Sequence, residues 1–143
     1  MDNITHRIAE FIRANDFSAY QKERYPAIQE GEFVHFTDED FHGVDFNQFV
    51  MGFFVFENCN LDDAKHIYGQ PIYFINSSVR NVDFRGVKAI IEAEDCDFRG
   101  IKYDEETQFV YGSGKLAARS RFINCKLDDE TRNFLSQQGV EIS

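Results

Sequence analysis

Apolar residues recur along most of the chain in pairs that start five residues apart. The pattern begins at Val34 and resumes after short slips at Ile72, Ile91 and Cys125. A spacing of five matches neither the period of an α-helix nor that of a regular strand. It is typical of a chain that runs extended for a few residues, turns a corner, and runs extended again.

A longer period is superimposed on the short one. Segments that begin at Phe36, Phe56, Phe74, Ala93 and Phe122 align with one another, at intervals of 20, 18, 19 and 29 residues. Because four sides of five residues make about 20, each start marks the same side of a repeating unit. The two periods together predict a solenoid with one large apolar residue pointing inward from each side. The predicted inward set includes Phe36, Phe41, Phe46, Phe56, Leu61, Phe74, Phe84 and Phe98.

The N-terminal region carries a helical pattern instead. Apolar residues at positions 4–12 fall on one face of a helix. A second short helix over 17–24 is expected to end before Pro26, because a residue that precedes proline disfavours the helical conformation. Helices at this end would cover the unpaired backbone of the first extended segment.

Irregular segments and the C-terminal region complete the chain. Residues 66–71 and 104–114 break the five-residue spacing and are expected to form loops. Asp128 or Asp129 can cap a C-terminal helix, which Gly139 would end.

The short motifs resemble those of the pentapeptide-repeat proteins, whose motif is roughly Ala-(Asp/Asn)-Leu-x-x. The best copies are residues 60–64, 82–86 and 96–100, and the match extends from residue 34 to about 127. The resemblance implies an all-β fold, a right-handed quadrilateral β-helix of about five coils with helical ends. It divides the chain into an N-terminal helical cap over 1–32, the β-helix over 33–127, and a C-terminal capping helix and tail over 128–143.

At one set of equivalent inward positions, the side chains are polar or small. This set contains Glu39, Cys59, Ser77, Cys96 and Cys125. Neighbouring coils would lie about 4.8 Å apart, so only Cys96 and Cys125 would be adjacent. Small thiols that fill the core are the favoured interpretation, in preference to a disulfide scaffold or a zinc site.

Composition excludes several classes of function. The chain has 143 residues, enough for one domain, and a formal net charge of −10, which opposes direct binding to nucleic-acid phosphates. No apolar run approaches the roughly 20 residues that a membrane span requires. Three unpaired cysteines indicate reduced thiols and a cytoplasmic location.

Known catalytic motifs are absent from the sequence. None of the four histidines forms a His-Glu-x-x-His pair, and residues 112–115, Gly-Ser-Gly-Lys, lack the other positions of a phosphate-binding loop. Carboxylate pairs are frequent, but they fall on outward positions, where no cleft would shift their pKa values. The sequence therefore predicts a protein that is not an enzyme and that needs no cofactor or metal.

Charge is distributed unevenly, and this asymmetry is the main functional signal. Residues 33–64 contain seven carboxylates and no Lys or Arg, whereas residues 65–102 are nearly balanced. Solubility alone would need only scattered charge, so the cluster suggests an interface. The candidate interaction surface consists of Asp38, Asp40, Asp45, Glu57, Asp62 and Asp63.

Two functions are consistent with this pattern. The first is a non-enzymatic scaffold that binds a protein partner with a basic surface, with no membrane attachment and with a homodimer left open. The resemblance implies the second, because some pentapeptide-repeat proteins mimic duplex DNA and bind type II topoisomerases such as DNA gyrase. Residues 33–143 carry fewer charges than duplex DNA of the same length, so the scaffold is the leading hypothesis.

Overall fold

The structure, a computed structural model, describes residues 4–30, 33–49, 54–112 and 114–143. The helices are α1 (Ile4–Arg13), α2 (Phe17–Glu30) and α3 (Asp129–Gln138), with a short 3₁₀ helix at Gly114–Leu116. The strands are β1 (Val34–Thr37), β2 (Phe54–Glu57), β3 (Gly69–Ile75), β4 (Ala89–Glu94), β5 (Val110–Tyr111), β6 (Ala118–Arg119), β7 (Arg121–Ile123) and β8 (Glu141–Ile142).

Six of these strands form one parallel sheet in the order β1-β2-β3-β4-β7-β8, while β5 and β6 pair antiparallel beside it. The register places Phe36 opposite Phe56, Phe56 opposite Phe74, Phe74 opposite Ala93 and Ala93 opposite Phe122. These are the starts of the aligned sequence segments. The long period of the sequence is therefore the offset between neighbouring parallel strands.

Single parallel bridges extend the pairing beyond the sheet. One row joins Asp40, Asn60, Ser78, Asp97 and Lys126. A second row joins Asp45, Lys65, Asp83 and Lys102. The segments between the strands thus remain in register with their neighbours along the chain, which aligns equivalent polar side chains on the surface.

The aromatic residues form the centre of the core. All eight predicted inward residues are buried, with at most 1% of their surface exposed, which confirms that part of the sequence analysis. The rings of Phe36, Phe56 and Phe74 stack with centroid separations of 5.4 Å at each step. Burial of one such side chain contributes roughly 1.5–3 kcal/mol, so this stack is a major source of stability.

The prediction of an all-β fold is wrong. Within the described residues the protein is mixed α/β, with three α-helices and a parallel six-stranded sheet, and a β-helix solenoid of about five coils is not supported. Helix α1 is part of the main core, to which it contributes Ile8, Ala9 and Ile12. The five-residue spacing identified which side chains point inward, but that information does not specify the class of fold.

Two local predictions also need correction. Helix α2 continues through Pro26 to Glu30 instead of ending at position 24. Residues 66–71 are not entirely a loop, because β3 begins at Gly69 and absorbs the slip as a bulge between Gly69 and Ile72. Residues 104–114 likewise include β5.

The C-terminal helix follows its sequence signals closely. Helix α3 begins after Asp128 and ends at Gly139, which adopts a left-handed conformation with φ of 85°. The Asp128 carboxylate does not cap this helix; it accepts a hydrogen bond of 2.6 Å from the backbone N–H of Gly100. The chain then returns to the sheet as β8, beside β7.

Candidate interaction surface

Five of the six predicted surface carboxylates are solvent-accessible, and all six lie near the first two strands. Asp38 follows β1 in a left-handed conformation with φ of 59°, and Glu57 ends β2. Asp40 and Asp45 begin the two rows of parallel bridges. The parallel register places residues that are not acidic directly opposite these carboxylates: Thr37 opposite Glu57, Asn60 opposite Asp40 and Lys65 opposite Asp45.

Asp62 is the exception, because it is only 7% exposed. Its carboxylate accepts hydrogen bonds from the Ser78 hydroxyl at 2.6 Å, from the Arg80 backbone N–H at 2.9 Å and from Arg80 Nη2 at 2.8 Å. Burial raises the pKa of Asp62, but the hydrogen bonds from Arg80 and Ser78 outweigh it and hold the pKa below its ordinary value. Asp62 therefore stabilises the fold and is not a free contact residue.

Histidines pair with three more of these carboxylates. His35 Nε2 lies 2.9 Å from Glu57 Oε1, and His42 Nε2 lies 3.2 Å from Asp63 Oδ2. His66 Nδ1 lies 2.8 Å from Asp45 Oδ1.

These three pairs were not predicted from the sequence, although their spacing carries a signal. Each pair spans 21 or 22 residues, which is one strand-to-strand offset plus one or two positions. Burial raises the pKa of Asp45, but hydrogen bonds from His66 and from the backbone of Asn47 lower it further, so the net shift is downward. These carboxylates are therefore already engaged within the molecule.

Asp38 and Asp40 have neutral partners instead. Asp38 Oδ1 accepts a hydrogen bond from the Asn58 amide, and Asp40 Oδ1 accepts one of 3.0 Å from the backbone N–H of His42. Within the described residues, neither carboxylate forms an ion pair. Their negative charges therefore remain available to a partner.

Two further exposed carboxylates extend this group along the sheet. Glu94 lies two strands from Glu57 in the same parallel row, through Ile75. Asp95 follows Glu94 in a left-handed conformation and accepts a hydrogen bond of 2.6 Å from the Asn124 amide. Neither forms an ion pair within the part of the chain that the structure describes. We call the following set the acidic edge: Asp38, Asp40, Glu57, Glu94 and Asp95.

The remaining rows carry compensated charge. The row of Asp45, Lys65, Asp83 and Lys102 alternates in sign. Ion pairs of 2.7 Å also join Asp83 to Arg85 and Asp97 to Arg99. Such neutralised rows favour folding and solubility more than they favour attraction of a charged partner.

Glu39 connects the first helix to the sheet. Its side chain is 9% exposed, and its two carboxylate oxygens meet Arg13 Nη1 at 3.0 Å and His6 Nδ1 at 2.8 Å. The hydrogen bond to Glu39 raises the pKa of His6. Arg13 also lies over the ring of Phe41, with its guanidinium carbon 5.5 Å from the ring centroid. The inward carboxylate is thus a docking point for α1.

The described residues show neither a metal-binding cluster nor a membrane-spanning helix. The described ranges contain no group of three or more His, Cys, Asp or Glu side chains that could hold a metal ion. No helix within them is both long and apolar enough to cross a membrane. The predictions of no catalysis and no cofactor remain predictions.

No protein-family model, curated protein or solved structure matched this chain. The resemblance to the pentapeptide-repeat proteins therefore stays a prediction from the sequence motifs.

Proposed function

We propose that this protein is a non-enzymatic interaction protein, whose acidic edge binds a basic surface on a protein partner. The observation that supports this is the contrast between the acidic edge and the rest of the surface. Among the described residues, the carboxylates of Asp38, Asp40, Glu94 and Asp95 form no ion pair, although Arg13 donates a hydrogen bond of 3.2 Å to the backbone carbonyl of Asp40. The carboxylates of Asp62, Asp83 and Asp97 are each paired with an arginine.

Uncompensated like charges repel one another and oppose folding slightly. Neighbouring strands lie about 4.8 Å apart, so Glu57 and Glu94, two strands apart, are separated by roughly 10 Å and repel each other only weakly through salt water. A lysine or arginine at positions 58 or 76 would relieve this repulsion, but both positions hold asparagine. A complementary basic surface would relieve it on binding and would accelerate association.

A matched pair of variants tests this proposal. The edge variant combines Asp38→Asn, Glu94→Gln and Asp95→Asn, which keep the oxygen acceptors but remove three charges. The control variant combines Glu105→Gln, Glu106→Gln and Glu130→Gln, which remove three charges from exposed positions elsewhere. The probe is an immobilised lysine-rich peptide, and the readout is the NaCl concentration that releases each protein.

We expect the edge variant to elute at a clearly lower salt concentration than the control variant, although their net charges are equal. Release of both variants at the same salt concentration would show that attraction depends on total charge alone, and the acidic edge would then have no special role. Thermal unfolding of both variants checks that they remain folded.

DNA mimicry is the second candidate function, because the spacing of the acidic edge supports it in part. From Asp38 to Asp95 the edge crosses three strand spacings, about 14 Å, which corresponds to about eight charges of duplex DNA or about four of one strand. The five carboxylates therefore roughly match the number of charges on one phosphate strand over this length, with none on β3. Inhibition of DNA gyrase supercoiling by the wild type, reduced in the edge variant, is the expected result; a wild type that does not inhibit would contradict this alternative.

We also propose a cytoplasmic location. All three cysteines are free thiols. A reducing compartment maintains cysteines in this state.

A further inference from the structure

The three cysteines occupy equivalent positions, but only two of them are neighbours. Each Sγ lies within hydrogen-bond distance of the backbone carbonyl two residues earlier, at 3.3 Å for Cys59, 3.2 Å for Cys96 and 3.4 Å for Cys125. Ser77 occupies the intervening position between Cys59 and Cys96. Cys59 therefore has no neighbouring thiol among the described residues.

The register places Cys96 directly opposite Cys125. Glu94 pairs with Ile123, Asp97 pairs with Lys126, and the Lys126 N–H donates a hydrogen bond of 2.9 Å to the Cys96 carbonyl. Neighbouring parallel strands lie about 4.8 Å apart, which falls within the range of Cα separations that disulfides span.

Solvent can reach this pair from one side. Cys125 is half-buried and Cys96 is buried, and both line a surface cleft of about 480 Å³ together with Asn76, Asp95 and Asn124. The neighbouring Cys96 side chain lowers the pKa of Cys125. The Cys125 side chain and burial raise the pKa of Cys96. Because the thiolate is the reactive form, the accessible Cys125 is the more nucleophilic of the two.

We propose that Cys125 and Cys96 form a redox modification site that hydrogen peroxide converts to a disulfide. The Cys125 thiolate attacks one peroxide oxygen, the O–O bond breaks, and a sulfenic acid forms while the leaving hydroxide takes up a proton to become water. Cys96 sulfur then attacks the Cys125 sulfur, the S–O bond breaks, and the hydroxyl leaves as water with the Cys96 proton. Overall, two thiols and one hydrogen peroxide give one disulfide and two waters.

The position of this pair gives the disulfide a structural consequence. Residues 97–124 lie between the two cysteines and contain the antiparallel β5–β6 pair, which interrupts the regular strand offset. A disulfide between Cys96 and Cys125 would join the two ends of this segment into a covalent loop. Constraint of the unfolded chain by such a loop should raise the melting temperature by several degrees.

The test uses the full-length protein and stoichiometric hydrogen peroxide. After oxidation, remaining thiols are alkylated with N-ethylmaleimide under denaturing conditions, and the products are located by peptide mass spectrometry. We expect one alkylated residue, Cys59, together with a Cys96–Cys125 cross-linked peptide that dithiothreitol removes. Cys59→Ser is the matched control and should form the same cross-link.

Three outcomes would overturn the proposal. One is alkylation of all three cysteines after oxidation, and another is oxidation of Cys125 to sulfinic acid while Cys96 stays alkylatable. The third is consumption of Cys59 at the same rate as Cys125. Because the wild type carries the primary measurement, a folding defect in a variant cannot obscure the result.

Discussion

The stability of the core depends on individual aromatic side chains that are fully buried. Phe84 is fully buried and meets Phe109 edge to face, with ring centroids 5.4 Å apart. Packing of this kind combines removal of apolar surface from water with many close dispersion contacts. Loss of a ring therefore leaves a cavity that the surrounding backbone, constrained by parallel pairing, cannot fill.

Phe84→Ala should lower the free energy of unfolding by roughly 3–5 kcal/mol. Urea denaturation monitored by circular dichroism measures this change. Leu116→Ala is the control, because Leu116 is 97% exposed and its truncation should have almost no effect. Equal stability of Phe84→Ala and wild type would contradict the burial of this ring.

A second buried residue, Arg24, lowers the stability of the fold instead of raising it. Arg24 is fully buried, and its three guanidinium nitrogens have no hydrogen-bond partner in the described part of the molecule; the adjacent Tyr20 hydroxyl has none either. Burial raises the pKa of Tyr20, against the opposing influence of Arg24. An unpaired buried charge costs more free energy than its apolar stem recovers.

Arg24→Met should therefore raise the free energy of unfolding, by at least about 1 kcal/mol. Thermal and urea unfolding provide the measurement. Arg121→Met serves as the control, since Arg121 is half-exposed and pairs with Glu141 at 3.0 Å, so its loss should be neutral or slightly destabilising. A less stable Arg24→Met protein would show that the guanidinium is satisfied.

At the scale of elements, the docking of α1 combines an apolar face with one buried carboxylate. Ile8, Ala9 and Ile12 enter the core, and Glu39 accepts hydrogen bonds from the two ends of the helix through His6 and Arg13. An unpaired Glu39 at this depth would be unfavourable. The interaction therefore selects one orientation of the helix on β1.

The His6–Glu39 contact should make stability depend on pH. The pKa of His6 is raised above its ordinary 6.5, so its stabilising contribution is fully present below that pH and is lost as pH rises through the higher folded value. The stability difference between wild type and His6→Gln should therefore shrink between about pH 5.5 and about pH 8.5. Urea unfolding at the two pH values measures it, and a difference that grows with pH would contradict the pairing.

At the scale of the whole molecule, the parallel register arranges charge into rows. Asp62, Asp83 and Asp97 each pair with an arginine. Within the described residues, Glu57 of the acidic edge pairs only with His35, and the other four carboxylates of the edge form no ion pair. The hydrogen bond from Arg85 is the main cause that lowers the pKa of Asp83, to about 2, and Arg99 likewise lowers the pKa of Asp97. The acidic edge is therefore one place on the described surface where negative charge is not balanced by an arginine.

Acid should destabilise the protein through these paired carboxylates. A carboxylate such as Asp83, whose pKa is lower in the folded protein, stabilises the fold at pH values above its ordinary pKa of 3.8. That contribution is lost as the pH falls toward about 2. Circular dichroism should show loss of structure over this interval. Asp83→Asn should make stability depend less steeply on pH in this interval. An unchanged acid transition in this variant would contradict the role of the Asp83–Arg85 pair.

The sequence by itself determined which side chains point inward and where helices α1 and α3 form. Both follow from local periodicity and from terminal signals such as Gly139, because backbone geometry couples the direction of a side chain to its position along the element. The inward set from Phe36 to Phe98 was correct for this reason. The same local information led to the wrong all-β class, since it treated the helices as separate caps.

Only the tertiary structure decided which charges pair. Residues 18 to 29 positions apart meet in the Asp62–Arg80 contact, in the three histidine–carboxylate pairs of the candidate surface and at Cys96–Cys125. The offset between neighbouring strands varies among 18, 19, 20 and 29 residues. A change of one residue in that offset places a different side chain opposite each charge. The position of the acidic edge therefore depends on register, which insertions and bulges set and which periodicity alone does not specify.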